Sequence, residues 1–222
     1  MMYICRERNS KDNIITKSGR SLDFFYCTFL GRLLLKIVIS KPISDLGGLY
    51  MNSRFSKIKI NRFIDKNNIN TFEYDDKKYK SYNDFFTRKV ISCKRPIMSN
   101  KNALISPCDG KVLAYTINDD LTLKIKDSYY SIDTLVNESI MEEYKGGSAL
   151  VFRLSTDNYH RYCYIDSGTK GKNYHIKGVF HTVQPISLKN YNFFKTNSRE
   201  YTILNTNNFD KVIQVEVGAL MV

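Results

Sequence analysis

The sequence predicts an α+β protein in which a helical appendage precedes a mainly antiparallel β core with few helices. Apolar residues recur at helical spacing in the first third of the chain. From about residue 103 onward the pattern changes to short alternating or β-branched runs that are separated by turn sequences. We therefore place the appendage at residues 1–80 and the β-rich core at residues 81–222.

The clearest helix is predicted at Ser21–Ser40, where apolar residues fill most of the helical wheel. The polar exceptions recur every fourth position and form one narrow stripe: Thr28, Arg32, Lys36 and Ser40. Such a helix suits a membrane interface, with Arg32 and Lys36 at the lipid headgroups, or burial against the rest of the protein. Periodicity slightly favours burial, whereas the basic residues at 54–66 favour the membrane.

Two further helices are predicted in the N-terminal part of the chain. A shorter one is expected at 52–68, with three residues facing inward: Phe55, Ile58 and Phe63. Another is expected at Ser81–Val90, after a polar connector at Asn67–Lys80.

Seven runs in the core have the composition of strands: Ala103–Ser106, Lys111–Ile117, Leu121–Lys126, Ala149–Leu154, Asn173–Val179, Glu200–Asn205 and Val212–Val222. Turn sequences such as SPCDG at 106–110 separate them. One helix is predicted among them, near Ser131–Tyr144. The spacing does not fit a βαβ series, and the sequence contains no GxGxxG or GxxxxGK loop, so a nucleotide-binding doubly wound fold is not favoured.

The composition narrows the class of partner. The 222 residues include 34 Lys and Arg against 22 Asp and Glu, which gives a net charge of +12. Such a surface favours nucleic acid, an anionic membrane or a phosphorylated substrate. The many Tyr and Phe residues form no nucleic-acid recognition motif with Lys, so nucleic-acid binding is disfavoured. Five cysteines without a CxxC pair indicate no disulfide framework and no metal site.

Two residues stand out as candidates for chemistry. His160 follows an apolar strand, in STDNYHRYC, and Asp109 lies in the turn SPCDGK between two strands. An Asp that orients a His, which in turn activates a hydroxyl, is a recurring arrangement in nucleophilic catalysis. Taken alone, His160 is more readily a structural histidine, and Asp109 is far more readily a plain turn residue, because Asp-Gly is a common turn pair. Sequence spacing does not show that the two residues meet.

Six segments resemble the phosphatidylserine decarboxylase family and occur in the order of that family. They are NDFFTRK (83–89) with Arg95-Pro96, SPCDGKVLAY (106–115), GGSALVFRLSTDNYHR (146–161), IKGVFHTVQPI (176–186), NSREYTIL (197–204) and VEVGALMV (215–222). The resemblance covers residues 80–222, and the helical appendage also fits the family.

The resemblance implies a self-processing proenzyme that converts phosphatidylserine to phosphatidylethanolamine and CO2. In the family, a Ser in a Gly-Ser-Thr segment attacks the carbonyl before it, a His takes the proton of that Ser, and an Asp holds the His. The chain is cut, and the C-terminal fragment retains a pyruvoyl group that serves as the cofactor. Asp109 matches the Asp of the family's Pro-x-Asp-Gly motif, and His160 matches the first His of its Tyr-His-Arg motif.

One departure from the family concerns its second His, which stands three residues after the first and is replaced here by Cys163. A thiol is a weaker base than an imidazole at neutral pH, and Cys163 is more readily a small buried residue. Either His160 serves both roles, or His181 in FHTVQP substitutes as the base. An equally weighted alternative is that His181 is a half-exposed strand residue.

A second departure concerns the processing site. No Gly-Ser-Thr occurs in the sequence, so the resemblance places the pyruvoyl-forming serine beyond residue 222. We expect the β core to be incomplete at its C-terminus and the chain as given to be inactive. The alternative is a non-catalytic lipid-binding remnant of the family, which the missing serine and Cys163 both favour.

The resemblance also implies partners. These are phosphatidylserine, an anionic membrane surface and the pyruvoyl-bearing C-terminal fragment, while a homodimer is left open. Arg161 and Arg199 are candidates for binding the substrate phosphate, because Arg suits bidentate phosphate recognition; each is equally a candidate for a structural ion pair. The charged start predicts no secretory signal, and we expect a peripheral location at the cytoplasmic face of the cell membrane.

Overall fold

The structure is a computed structural model. It describes residues 2–6, 13–17, 19–75, 77–118, 120, 122–125, 128–132, 135–136, 139–182, 186 and 196–219. The chain divides into two units. The first unit comprises Met1–Gly47, Tyr174–Glu200 and Val215–Val222, and the second unit comprises Gly48–Asn173 and Tyr201–Gln214.

Helices dominate the N-terminal part of the chain and strands the rest. The helices in the described residues are α1 (Arg20–Cys27), α2 (Phe29–Val38), α3 (Lys41–Asn52), α4 (Lys59–Asn67) and α5 (Tyr82–Phe86). The strands are β1 (Met2–Arg6), β2 (Asn13–Lys17), β3 (Lys111–Thr116), β4 (Thr122–Ile125), β5 (Ser128–Ser131), β6 (Ser148–Arg153), β7 (Gly168–Ile176), β8 (Arg199–Thr206) and β9 (Lys211–Val217). Short 3-10 helices lie at Arg54–Ile58, Thr71–Glu73, Ser92–Lys94 and Ser139–Tyr144.

The strands confirm the predicted α+β class with antiparallel pairing. β1 pairs with β2, β3 with β6 and β4 with β5, each pair antiparallel. β7, β8 and β9 form a three-stranded sheet in that order. The β1–β2 hairpin and α3 were not predicted, because the charged start and the short polar-apolar mixture after residue 40 have little periodicity of their own.

The helix predicted at Ser21–Ser40 is two helices, α1 and α2, with a break at Thr28. Thr28 has an extended backbone, and its side chain accepts a hydrogen bond from the Gly31 N–H at 3.0 Å, which caps α2. The backbone also approaches closely here, since a Cβ on Gly31 would lie 2.0 Å from the Phe24 carbonyl oxygen. A capping side chain and a close contact therefore outweigh the continuous apolar pattern.

The helix predicted at 52–68 is a 3-10 turn followed by α4. The predicted inward orientation is wrong for two of the three residues. Phe63 packs against the core, but Phe55 and Ile58 are each 83% exposed. Both lie in the 3-10 segment, where side chains recur every three residues and do not follow the 3.6-residue period of the prediction.

Most predicted strands are confirmed within the described residues, and two elements are corrected. Residues 103–106, predicted as a strand, have no regular structure. The α-helix predicted at Ser131–Tyr144 is also wrong, because Ser131 ends β5, where it pairs with Thr122 of β4. Of the residues described in this range, Ser139–Tyr144 form a 3-10 helix. The last three residues of the strand predicted at Val212–Val222 lie outside the described residues.

Each unit has its own apolar core. In the first unit the buried residues of the core are Tyr26, Leu35, Ile39 and Ile186. In the second unit they are Ile60, Ile69, Tyr74 and Phe85. Of the helices that the structure describes, none is long and apolar enough to cross a bilayer.

Candidate active site

The segment around α5 carries an aromatic support for His160. The Ser81 hydroxyl accepts a hydrogen bond from the Asp84 N–H at 3.1 Å and so caps the helix. Phe85 is then buried in the core of the second unit, and its neighbour Phe86 stacks on the imidazole of His160. The two ring centroids are 4.1 Å apart and the planes are inclined by 28°. The short helix therefore fixes one face of the histidine ring.

The hydrogen bond of His160 determines which nitrogen can act as a base. Nε2 lies 3.0 Å from the Ser155 carbonyl oxygen. A carbonyl can only accept, so Nε2 carries the ring proton and Nδ1 carries the lone pair of the neutral ring. Burial lowers the pKa of His160 from its ordinary value, which keeps the imidazole neutral near pH 7. The residue is thus a half-buried neutral imidazole whose available lone pair is on Nδ1.

Asp109 is held by an arginine. Arg95 donates from Nε and Nη2 to the carboxylate of Asp109, at 2.9 and 2.8 Å, and its Nη1 lies 3.1 Å from the Glu73 carboxylate. The hydrogen bonds to Asp109 raise the pKa of Arg95, so the guanidinium stays charged. The next residue, Gly110, has φ +129°, and a Cβ there would lie 2.6 Å from the Arg153 carbonyl oxygen. Glycine therefore allows the turn to present Asp109 beside β3 and β6.

Cys163 lies against the turn that carries Asp109. Its N–H donates to the Pro107 carbonyl at 2.8 Å, and its thiol contacts the Ser106 carbonyl oxygen at 3.8 Å. Burial raises the pKa of the Cys163 thiol, so the thiolate is scarce at neutral pH. The thiol is half-buried, and its environment does not turn it into the stronger base that the family's second His would be.

The structure brings four of the sequence-predicted site residues into the second unit: Asp109, His160, Arg161 and Cys163. The backbone bond from Cys163 to Pro107 joins the His160 segment to the Asp109 turn. Among the described residues, the Asp109 carboxylate accepts hydrogen bonds from Arg95 and none from His160. Arg161 is exposed, and its Nε donates to the Thr87 carbonyl at 2.9 Å.

His181 and Arg199 lie in the first unit and are buried. His181 is 3% exposed, and its Nδ1 is 3.1 Å from the Tyr26 hydroxyl, which also accepts from the Thr182 N–H. Burial lowers the pKa of His181. Arg199 donates from Nη1 to the Asn197 carbonyl at 3.1 Å, and burial lowers its pKa as well. Each of these side chains has a structural partner within its own unit.

The contact between His181 and Tyr26 predicts a loss of stability. We expect His181→Ala to lower the free energy of unfolding by about 1–3 kcal/mol, because the buried Tyr26 hydroxyl loses a partner. Denaturant unfolding followed by circular dichroism measures this change. The matched control is His175→Ala, whose half-exposed ring contacts only Glu200 among the described residues and whose loss should cost less than about 0.5 kcal/mol.

Equal stability of the two variants would contradict the structural role of His181. The same variant tests its catalytic alternative. If His181→Ala, made in the protein expressed from its complete reading frame, still undergoes self-cleavage at the normal rate, His181 is not a substitute base.

Several residues at this site were not singled out by the sequence. Arg88 is fully buried among Tyr74, Phe85 and the carbonyls before His160. Arg95 grips Asp109. Both arginines lie within or beside motifs, but their hydrogen bonds to Asp109, Asp157 and Asn158 join residues that are 14 to 70 positions apart in sequence, and no local pattern signals such contacts. Within the described residues, no group of three or more His, Cys, Asp or Glu side chains could hold a metal ion.

The sequence was compared with known protein families and with individual proteins. The sequence model of the phosphatidylserine decarboxylase family matches residues 82–222. Phosphatidylserine decarboxylase proenzyme 2 of Clostridium acetobutylicum is 48% identical over 208 residues, which cover 93% of this chain and 71% of that protein. Phosphatidylserine decarboxylase proenzymes of Clostridium botulinum and Clostridium beijerinckii are 39% and 36% identical over 223 residues, covering 97% and 98% of this chain and 76% and 75% of the relatives.

Proposed function

The chain belongs to the phosphatidylserine decarboxylase family, and from this we propose that it removes CO2 from the serine headgroup of phosphatidylserine to leave phosphatidylethanolamine. The observation that carries the proposal is the overlap of the family match with a chemically competent site. Residues 82–222 include His160, a half-buried imidazole that burial keeps neutral, close to the turn that carries Asp109. A neutral imidazole is the usual general base for activating a hydroxyl.

We further propose a pyruvoyl cofactor, carried by the cleaved partner chain that the name proenzyme implies. The residues present at the site are compatible with this group. A pyruvoyl is an uncharged keto amide that needs no metal ligands or cationic cradle, and its formation needs a neutral base, which His160 provides. When bound, the group supplies a carbonyl that combines with the substrate amine and draws away the electrons released with CO2. The 222 residues contain no Gly-Ser-Thr sequence.

The residues of this chain then have distinct tasks. Nδ1 of His160 takes the proton of the serine hydroxyl during self-cleavage and holds a proton for the later protonation step. Phe86 and the Ser155 carbonyl fix the plane of the His160 ring, so that Nδ1 keeps one direction. Asp109, clamped by Arg95, keeps a negative charge in the neighbouring turn. We propose that Asp109 takes part in self-cleavage as the carboxylate at the family's Pro-x-Asp-Gly motif.

Of the two arginines considered for the substrate phosphate, we propose Arg161. It is exposed, follows His160 directly in the sequence and donates from Nε to the Thr87 carbonyl. Arg199 is 5% exposed and donates to a backbone carbonyl of its own unit. An accessible guanidinium next to the base suits a lipid phosphate better than a buried one.

We also propose that the first unit docks on an anionic bilayer through α2. This helix buries Gly31 and Leu35 on one side. Its other side exposes large apolar residues beside two cations: Phe29, Leu30, Leu33, Leu34 and Ile37, with Arg32 and Lys36. Such a surface combines apolar insertion with attraction to anionic headgroups, and the net charge of +12 acts in the same direction. In this proposal the helix combines the two alternatives weighed from the sequence: one face is buried against the protein, and the other lies in the membrane interface.

Replacing Leu33 and Ile37 together by Glu is expected to weaken binding to phosphatidylserine vesicles about a hundredfold or more. The two side chains would otherwise bury apolar surface worth about 3 kcal/mol or more in total. Vesicle flotation or surface plasmon resonance measures the change. The matched control is Ile97→Glu with Met98→Glu, which replaces two equally exposed apolar residues of the second unit. Equal weakening by both pairs would contradict a docking role for α2.

The test of the function uses the protein expressed from its complete reading frame. We expect its intact mass to show two fragments, the smaller with a pyruvoyl-blocked N-terminus, and expect incubation with phosphatidylserine vesicles to release CO2. A single uncut chain that binds the same vesicles without releasing CO2 would instead indicate the lipid-binding remnant. Cys163 in place of the family's second His makes this outcome a real alternative.

A further inference from the structure

Arg88 is a buried cation with incomplete hydrogen bonding. Its side chain is fully buried, and its guanidinium carbon lies 4.3 Å from the ring centroid of Tyr74 and 5.0 Å from that of Phe85. Within the described part of the chain, its Nε and Nη1 have no hydrogen-bond partner. Burying a charge is costly, and two ring contacts offset this cost only in part. A long apolar side chain would fill this position more favourably, so packing alone does not account for an arginine.

Arg88 forms polar contacts with the Tyr74 hydroxyl and with the segment that carries His160. Nη2 lies 3.3 Å from the carbonyl oxygens of both Asp157 and Asn158. These residues form a turn closed by the Asn158 N–H donating to the Ser155 carbonyl at 3.0 Å. The same Ser155 carbonyl accepts from Nε2 of His160. Arg88 therefore holds one side of a turn whose other side orients the imidazole.

The two residues before Arg88 contact the same segment farther along. Phe86 stacks on His160, and the Thr87 carbonyl accepts from Nε of Arg161. Three consecutive residues, 86–88, thus hold residues 157–161 at three successive points. The arginine is the member of this set that contacts the backbone before the histidine.

We propose that Arg88 is a positioning residue for His160, holding the 155–158 turn so that the imidazole keeps its orientation. The inference rests on the proposed function of His160 as the base. The charge of Arg88 acts in the same direction as the burial of His160, and both lower the pKa of that histidine. The carbonyls of Ser155 and Thr156 and the carboxylate of Asp157 act in the opposite direction, and the facing side chain from α5 is the uncharged Phe86.

The test compares three variants of the protein expressed from its complete reading frame. Arg88→Met removes the charge and the hydrogen bonds. Arg88→Lys keeps the charge but not the planar guanidinium group. Lys89→Met is the control and removes an exposed neighbouring cation. We expect Arg88→Met to lower kcat on the order of a hundredfold with little change in KM, since misplacement of a base by about 1 Å has this effect. In a plot of kcat against pH, the acid limb of Arg88→Met should move to higher pH, because loss of the cation raises the pKa of His160. Arg88→Lys should lower kcat but leave the acid limb in place, and Lys89→Met should change neither.

A second readout does not depend on activity. The chain has only three histidines, so NMR titration can follow each ring, with His160→Gln assigning the His160 signal. We expect Arg88→Met, but not Lys89→Met, to raise the pKa of His160. An unchanged pKa and an unchanged kcat in folded Arg88→Met would overturn the proposal, and so would failure of both Arg88 variants to fold. If the pKa rises in Arg88→Met while His160→Gln remains fully active, the positioning holds and the assignment of His160 as the base is what fails.

Discussion

Replacing His160 by Gln is expected to slow both self-cleavage and decarboxylation by two to four orders of magnitude. Glutamine keeps a polar side chain of similar reach but has no atom that takes a proton near pH 7, and a positioned general base contributes on the order of 10²–10⁴-fold. The structure identifies Nδ1 as the atom that is lost, because Nε2 donates to the Ser155 carbonyl. Intact mass over time measures the cleavage, and release of CO2 from labelled phosphatidylserine measures the decarboxylation.

Two further substitutions separate loss of the base from loss of packing. His160→Phe retains an aromatic ring that can stack on Phe86, and it should be as inactive as His160→Gln. His175→Gln makes the same change at a half-exposed histidine of β7, and it should retain full activity. Activity in His160→Phe within tenfold of the unchanged protein would show that the ring contributes shape and that the base lies elsewhere.

Replacing Asp109 by Asn is expected to slow self-cleavage on the order of a hundredfold or more. The substitution keeps the size of the side chain but removes the carboxylate that matches the Asp of the family's Pro-x-Asp-Gly motif, and loss of the carboxylate in a Ser-His-Asp arrangement is costly. It also leaves the Arg95 guanidinium without its bidentate partner. The time course of intact mass again measures the rate.

The matched control for Asp109 is Glu73→Gln, which removes the other carboxylate that Arg95 contacts. If Asp109 acts through its charge in the turn, Glu73→Gln should change the cleavage rate by less than tenfold. If the two variants are equally slow, the ion-pair network around Arg95 is what matters, and Asp109 has no separate role. Stability of both variants is compared by thermal unfolding, so that a loss of folded protein is not counted as a loss of rate.

The sequence predicted those features of the fold that local patterns encode. The strands that became β3, β6 and β8 have alternating or β-branched runs between clear turns, and the structure confirms them. The exposure of Phe55 and the break at Thr28 were missed, because a 3-10 turn and a capping side chain override apolar periodicity. An apolar pattern that repeats over two turns of a helix can be recognised in the sequence, whereas the single hydrogen bond that ends an element cannot.

For the candidate site, motif order was more informative than residue spacing. It led to Asp109 and His160, and the structure places both in the second unit. It did not reveal that the carboxylate is bound by Arg95, that burial keeps His160 neutral, or that Arg88 contacts the preceding turn. These facts depend on contacts between residues that are distant in sequence, and the fold alone creates them. The roles of the site residues stay predictions until the variants are measured.

The first unit is assembled from segments at both ends of the chain, and this has a consequence for biosynthesis. Tyr26 of α1 and its partner His181 are separated by 155 residues, and Ile39 accepts a backbone hydrogen bond from Phe180. At about 5–20 residues per second, a ribosome needs roughly 8–30 s to reach the partner after making the helix. During that interval the apolar side of α1 and α2 has no native partner to cover it. Nascent chains are therefore expected to engage chaperones or lipid before they complete this unit, and folding should be slow because the closing contacts are so distant.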